Sequence, residues 1–185
     1  MMELPEVIRD IADILKQIDE SAIQFRAFKP GVGPWGEPQL MREVVHYLNV
    51  IPAYAGKVKT KRTPDLLITD EWAIEIKLTR PFGDNGKEAE NWSVNLLHPY
   101  PGNVSAIGDC LKLVGYSGDE NKAILVIGYE HDPAQISLDP LIEAFEVTTS
   151  IFNTFCLKAR IEERREGLIH PVHQVVRLFA WELIS

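Results

Sequence analysis

The chain has 185 residues, of which 45% are hydrophobic and 25% charged, a composition typical of a single globular domain spanning 1–185. No stretch approaches the ~20 apolar residues of a membrane span, and the acidic N-terminus lacks a signal-type apolar segment. Cys110 and Cys156 have no metal-binding spacing and form no disulfide framework, so we expect reduced core residues of a cytoplasmic protein.

Two amphipathic helices are predicted in the first 50 residues. Apolar residues recur at helical spacing through 5–20, which predicts a first helix with a packing role. Repeated Gly and Pro in 29–36 indicate a loop. A second helix is expected from about Glu37, with Pro38 in its first turn. Its apolar stripe consists of Leu40, Met41, Val44, Tyr47 and Leu48.

A carboxylate shares the apolar stripe of the second helix. Glu37 lies on the same face as Leu40 and Val44, whereas Glu43 lies on the opposite face. At the start of a helix a carboxylate can simply complement the helix dipole. Spacing alone does not distinguish that role from a functional one.

Residues 56–62 predict a short first strand that carries basic side chains. Val58 is its only apolar residue, and lysines alternate beside it. The net charge of −8 argues against phosphate binding by the chain as a whole, because phosphate binders usually carry a basic surface. A local basic strip nevertheless remains, formed by Lys57, Lys59, Lys61 and Arg62.

Two short apolar runs, 66–68 and 72–78, predict a β-hairpin. A three-residue loop at 69–71 fixes the facing pairs, which are Ile68 with Trp72, Leu66 with Ile74, and Asp65 with Glu75. Alternation then puts Lys77 on the same face as Glu75, and opposed Cβ atoms are about 5 Å apart. Repulsion between the two carboxylates predicts a divalent cation there. The alternative is that Glu75 and Lys77 form the solvated face of an amphipathic strand.

Pro64-Asp65, nine intervening residues and then Glu75-Ile76-Lys77 resembles the signature of the PD-(D/E)xK nuclease superfamily. The resemblance implies a metal-dependent endonuclease, a hydrolase of nucleic-acid phosphodiesters with DNA as the expected substrate. It implies that Mg²⁺ or Mn²⁺ is held by Asp65, Glu75 and the Ile76 backbone carbonyl, with Glu37 acting directly or through water. Lys77 would orient and help to deprotonate the attacking water. As a strand-surface residue, Lys77 is expected to affect stability by only about 0.5 kcal/mol.

Residues 80–103 contain several Pro and Gly and no clear period, which predicts a long loop. Its side chains suit contacts with nucleotides through stacking and hydrogen bonds, the relevant residues being Lys87, Trp92, His98 and Tyr100. The alternative is an ordinary insertion packed by Trp92.

Asn103 is expected to cap a third helix with a buried stripe of Val104, Ile107, Leu111 and Val114. Ser105, Asp109 and Lys112 form a second, polar stripe. We interpret this stripe as a solvated face and keep Lys112 as a secondary candidate for a phosphate contact.

The C-terminal third predicts a buried strand at 123–127, a helix opened by Asp139-Pro140, and strands at 155–162 and 175–183. A charged turn at 163–167 joins the last two strands. His170 and His173 have a metal-like spacing but flank Pro171, with no acidic or Cys partner nearby in the sequence. We interpret both as structural.

The order helix, three strands, helix, strand matches the αβββαβ core of the restriction-endonuclease-like fold that the resemblance implies. The expected class is α/β (α+β), a mixed central sheet flanked by helices, with an extra N-terminal helix and a C-terminal helix-strand extension; periodicity alone gives only the sheet and its helices. The expected substrate contacts are Lys59, Lys61, Arg62 and Lys112. A homodimer, frequent among restriction enzymes, is a further expectation. Two alternatives stay open: an inert nucleic-acid-binding or assembly module, and a small-molecule or nucleotide hydrolase with a similar carboxylate cluster.

Overall fold

The computed structural model describes residues 2–100 and 105–185, which form five helices and seven strands. The helices are α1 (Leu4–Glu20), α2 (Glu37–Val50), α3 (Val94–Leu97), α4 (Ala106–Val114) and α5 (Asp139–Thr149). The strands are β1 (Val58–Lys59), β2 (Leu66–Ile68), β3 (Trp72–Thr79), β4 (Asn121–Glu130), β5 (Cys156–Leu157), β6 (Ile161–Arg165) and β7 (Val175–Ile184). None of these helices is long and apolar enough to span a bilayer.

All seven strands of the described residues lie in one mixed sheet, in the order β1-β2-β3-β4-β7-β5, with β6 also paired to β7. Only β3 and β4 are parallel; the connection between them contains α3 and α4. Helices α1 and α2 pack on one face, against residues such as Ile74, Ile76 and Leu125. Helices α4 and α5 pack on the other face, against residues such as Ala73 and Ile124. The predicted mixed sheet flanked by helices is therefore confirmed.

The predicted register of the β2–β3 hairpin is confirmed. Leu66 pairs with Ile74 and Ile68 pairs with Trp72. The loop is closed by a 3.0 Å hydrogen bond from Glu71 N–H to the Ile68 carbonyl, and Asp70 adopts a φ of 64° in it. Aspartate tolerates this left-handed conformation better than most residues. Because Ala73 packs toward α4, alternation directs Glu75 and Lys77 toward α4 as well.

The C-terminal strands differ from the predicted ones by a bulge. Leu157 pairs with Leu183, and Ile161 pairs with Ala180. The three residues 158–160 therefore lie opposite only two residues of β7, 181 and 182. This extra residue divides the predicted strand 155–162 into β5 and β6. Residues 163–165, predicted to lie in a turn, continue β6. At the other edge, β1 is much shorter than the predicted 56–62, because Val58 is the only apolar residue that it can bury.

The described parts of the region between β3 and β4, residues 80–100 and 105–120, contain more regular structure than the composition predicts. They contain α3 and a bridge between Phe82 and Glu88, and Trp92 packs against the core on the α4 side. Helix α4 is capped by the Ser105 side chain, which accepts a 3.0 Å hydrogen bond from Gly108 N–H. The predicted cap Asn103 and the predicted stripe residue Val104 lie outside the described residues. Of the two free cysteines, Cys110 is buried as expected, whereas Cys156 is exposed.

His170 and His173 are buried and stack on each other, with ring centroids 4.5 Å apart. His170 Nε2 bonds Asp84 Oδ1 at 2.9 Å, and His173 Nε2 bonds the Phe82 carbonyl at 2.9 Å. Asp84 lies 86 residues before His170, so the local sequence does not reveal this acidic partner. The hydrogen bonds of the stacked pair connect the loop after β3 to the segment before β7. This supports the interpretation of His170 and His173 as structural residues.

We expect acidification to destabilise the protein through His173. Burial lowers the pKa of His173 from 6.5 to about 3, so the folded protein keeps it neutral while the unfolded chain takes up a proton. The contribution of neutral His173 to the free energy of unfolding is therefore complete above pH ~6.5. It decreases as the pH falls and is lower by about 2 kcal/mol at pH 5. Urea unfolding at pH 7 and pH 5 measures this loss. The variant His173→Gln keeps a donor for Phe82 but cannot titrate, so equal losses in variant and wild type would contradict the assignment.

Candidate active site

Asp65 is held at the start of β2 by the backbone of β3. Its Oδ2 accepts a 2.9 Å hydrogen bond from Ile76 N–H. Extending the hairpin register by two residues puts Pro64 opposite Ile76, and proline has no N–H to donate. The N–H and carbonyl of a strand residue point toward the same neighbouring strand. The Ile76 carbonyl is therefore directed toward the Asp65 side of β3, where Pro64 offers it no hydrogen bond.

Glu75 is buried next to Asp65, with only 1% of its surface exposed. Among the described residues its Oε1 has no hydrogen-bond partner, and a proton on Glu75 would be shared in a hydrogen bond with Asp65. Burial, this hydrogen bond and the charges of Asp65 and Asp109 raise the pKa of Glu75 to about 9. In the absence of a cation Glu75 therefore holds a proton at neutral pH. The two carboxyl groups are in direct contact, as the hairpin register predicts.

Asp109 of α4 joins this pair from the facing helix. It is 1% exposed, its Oδ2 lies 2.9 Å from Lys77 Nζ, and its Oδ1 accepts a hydrogen bond from Lys112 Nζ. The Lys77 side chain is itself only 13% exposed. The interpretation of this stripe as a solvated face is therefore wrong for Ser105 and Asp109, which are buried, whereas the Lys112 side chain is 42% exposed. That face of α4 covers the side of β3 that carries Glu75 and Lys77.

Glu37 reaches the same group from the first turn of α2, as the apolar stripe predicts. Its carboxylate accepts a hydrogen bond from Leu78 N–H and lies in the fields of Lys77, Asp65 and Asp109. Burial raises the pKa of Glu37, and the positive charge of Lys77 opposes the rise. Glu37 thus approaches the end of β3 from the α2 side, whereas Asp109 approaches it from the α4 side.

The six side chains form what we call the carboxylate cluster, which consists of Glu37, Asp65, Glu75 and Asp109 with Lys77 and Lys112. Four carboxylates face two ammonium groups, so full ionisation leaves two negative charges unbalanced. Buried charge without compensation is costly. A proton on Glu75 removes part of the excess, and a divalent cation would remove all of it.

The donor set of the cluster fits a hard divalent cation. Carboxylate and carbonyl oxygens are the ligands that Mg²⁺ and Mn²⁺ prefer, and Glu75 Oε1 is a buried oxygen that lacks a donor. Within residues 2–100 and 105–185, no three His, Cys, Asp or Glu side chains have the arrangement of a metal site. Asp65 and Glu75 are nevertheless in contact, and the Ile76 carbonyl is directed toward the Asp65 side of β3. Mg²⁺ commonly keeps several water ligands, which would complete such a partial set.

A cleft of about 240 Å³ opens next to Asp65, between α2 and the segment before β2. We call it the basic cleft, because Arg42, Lys61 and Arg62 line it together with Glu37 and Asp65. Among the predicted substrate contacts, Lys61 and Arg62 are therefore beside the cluster. Lys112 lies inside the cluster, and Lys59 is exposed on β1. Arg42 was missed because only the packing of α2 near β1 brings it to this cleft.

Comparisons of the chain with protein-family models, curated proteins and solved structures return no match. The reasons for assigning a function are therefore the geometry of the carboxylate cluster, the basic cleft beside it and the motif spacing in the sequence.

Proposed function

We propose that this protein is a metal-dependent endonuclease that hydrolyses phosphodiester bonds of nucleic acid, with DNA as the expected substrate. The supporting observation is the buried contact between Asp65 and Glu75 with Lys77 on the same face of β3. The order α2-β1-β2-β3-α3-α4-β4 contains the αβββαβ order of restriction-endonuclease-like proteins with one additional short helix, α3, and supports the proposal. The nuclease resemblance of the sequence and the chemistry of the site therefore point in the same direction.

The carboxylates of Asp65 and Glu75 and the Ile76 carbonyl would hold Mg²⁺ or Mn²⁺, with Glu37 contributing directly or through water. When bound, the cation would polarise the scissile phosphate and stabilise the leaving oxygen. Glu75 must lose its proton before it can act as a ligand, because a protonated carboxyl is a poor donor of electron pairs. The Ile76 N–H keeps the Asp65 carboxylate oriented throughout.

Lys77 is the group that acts on the attacking water. Its ammonium orients the water by hydrogen bonding and stabilises the hydroxide that forms as the water loses its proton to solvent. Asp109 Oδ2, 2.9 Å from Nζ, holds the ammonium in place. Asp109 therefore acts through Lys77 and is a positioning residue.

The basic cleft supplies the electrostatic attraction that the negative net charge of the chain lacks. Lys61 and Arg62 are exposed and lie beside Asp65, so both can contact phosphates next to the reacting one. Arginine and lysine side chains on phosphates hold a strand in position without reading its sequence. We infer that this cleft contributes to the affinity for nucleic acid and that its contribution decreases with salt concentration.

A catalytically inert nuclease-like module, which binds nucleic acid or takes part in an assembly, is the second candidate. The position of Lys112 favours it, because Nζ lies 3.9 Å from Glu75 Oε2 and already offers this carboxyl a counter-charge. With Lys112 in place and a proton on Glu75, the cluster would have little need of a cation. Binding of nucleic acid in the basic cleft would then occur without turnover.

A cleavage assay separates the two candidates. The purified protein is incubated with plasmid, linear duplex, single-stranded and branched DNA, and with RNA, in Mg²⁺, in Mn²⁺ or in EDTA. We expect products only with a divalent cation, and none from Asp65→Asn, which keeps an acceptor for Ile76 N–H but removes the charge. Cleavage in EDTA would contradict the mechanism. An absence of cleavage, together with a melting temperature unchanged by metal, would favour the inert module.

A further inference from the structure

Arg80 is a half-buried cation that forms no close ion pair among the described residues, although the negative charge of Glu37 acts on it. It follows β3 directly, its Nη2 donates a hydrogen bond to the Trp35 carbonyl, and its guanidinium lies 5.5 Å from the centre of the Tyr129 ring. Its Nε is buried and makes no hydrogen bond to any residue that the structure describes. Within the described part of the chain, no carboxylate forms a salt bridge with Arg80, and Glu37 acts on it only at longer range. A half-buried guanidinium with unfilled donor capacity is energetically unfavourable, and an anion would relieve this.

Arg80 lines a cleft of about 200 Å³ that adjoins the carboxylate cluster. We call it the Arg80 cleft; its other lining residues include Leu78, Trp92 and Asn95. Leu78 connects the two sites, because its N–H bonds the Glu37 carboxylate of the cluster. The cleft therefore begins one residue beyond Lys77 in the chain, next to the proposed reaction centre.

The side chains of the Arg80 cleft offer a different recognition chemistry at each position. Arginine is suited to phosphate because its planar guanidinium matches two oxygens. Trp92 is half-buried and packs against the core, so it presents a fixed aromatic surface, and Asn95 is an exposed amide of α3. Glu90, also at the cleft, is exposed, and its repulsion of an anion is screened by solvent and salt.

We propose that the Arg80 cleft binds the nucleotide next to the scissile phosphate, with Arg80 on its phosphate and Trp92 against its base. A base can stack on a protein side chain only when it has left the base stack of a duplex. The active site therefore acts on an unpaired strand, such as single-stranded DNA or the single-stranded part of a branched molecule. This inference rests on the proposed function, since it assigns the substrate class of the same site.

The test is binding of fluorescein-labelled single-stranded and duplex oligonucleotides by anisotropy in EDTA, where no metal-dependent cleavage occurs. We expect Trp92→Ala to weaken single-strand binding by about 5- to 150-fold, the range for loss of one base–aromatic stack, and Trp92→Phe to restore most of it. Duplex binding should change little. Arg80→Gln should weaken single-strand binding and reduce the slope of log Kd against log salt by about one.

Melting curves of each variant show whether the fold is intact. Asn95→Ala changes an exposed residue, and Trp92→Phe keeps an aromatic ring, so both variants should fold. They keep the test valid if Arg80→Gln fails to fold. Unchanged single-strand affinity in Trp92→Ala, or equal losses for single strand and duplex, would overturn the inference. Cleavage by the wild type with either of these results would leave the proposed nuclease intact. Single-strand binding that depends on Trp92 without any cleavage would support the cleft and contradict the nuclease.

Discussion

Replacing Lys77 with methionine is expected to lower the rate of metal-dependent cleavage by about 10²- to 10⁴-fold, the usual contribution of a general acid–base group. Methionine fills a similar volume but cannot orient a water or exchange a proton. The ligands Asp65 and Glu75 are unchanged, so metal binding should persist. Single-turnover rates with saturating metal measure the chemical step directly, and full activity in Lys77→Met would contradict the mechanism.

Lys77→Met should also lower stability, contrary to the expectation for a strand-surface lysine. The side chain is 13% exposed and pairs with the buried Asp109, which would keep only Lys112 as a partner. Leaving a buried polar group poorly satisfied costs about 1–3 kcal/mol. The rates must therefore be measured below the melting temperature of the variant. Asp109→Asn is the matched control: it breaks the same ion pair, so a similar stability loss with a smaller loss of rate would separate Lys77 chemistry from folding.

Replacing Glu75 with glutamine is expected to stabilise the metal-free protein at alkaline pH. The folded pKa of Glu75 is about 9 against 4.5 for the ordinary group, so the folded protein binds a proton that the unfolded chain has lost. The stabilisation by this proton is complete below pH 4.5 and is lost as the pH rises through 9. Between pH 5 and pH 8 the decrease should be on the order of 4 kcal/mol. Glutamine cannot titrate, and its amide can donate to Asp65.

Urea unfolding of wild type and Glu75→Gln in EDTA at pH 5 and pH 8 measures this difference. We expect the variant to be the more stable protein at pH 8 and the two to be similar at pH 5. In Mg²⁺ the difference should shrink, because only the wild type gains binding energy: a ligand at 100 times its Kd adds about 2.7 kcal/mol. Glu43→Gln, on the opposite side of α2 from Glu37, serves as the control. A variant less stable than wild type in EDTA at pH 8 would refute the assigned burial.

The hairpin could be predicted because its information is local. Loop length and the alternation of apolar residues fix the pairing of β2 and β3, and these together bring Asp65 to Glu75. The position of Glu37 near the cluster could likewise be predicted, from the apolar stripe of a single helix. The bulge between β5 and β6 could not be predicted, because alternation within one segment does not show how many residues of the partner strand lie opposite it.

Asp109 and Arg80 escaped prediction because their roles depend on which surfaces pack together. Asp109 appeared to belong to a solvated stripe, yet α4 places that stripe on β3. A usable signal existed: Asp109 interrupts a run of small and apolar residues, Ala106, Ile107, Gly108 and Cys110, just as Glu75 interrupts β3. Arg80 carries a comparable signal as a charge directly after a buried strand.

Calorimetric titration with Mn²⁺ tests the central claim, that Asp65 and Glu75 form a divalent-metal site. We expect one ion to bind per chain in the wild type and none in Asp65→Asn. The control Asp70→Asn alters an exposed hairpin residue, and asparagine suits its positive φ, so this variant should bind as the wild type does. Equal binding by Asp65→Asn and wild type, or no binding by either, would contradict the metal site and with it the proposed mechanism.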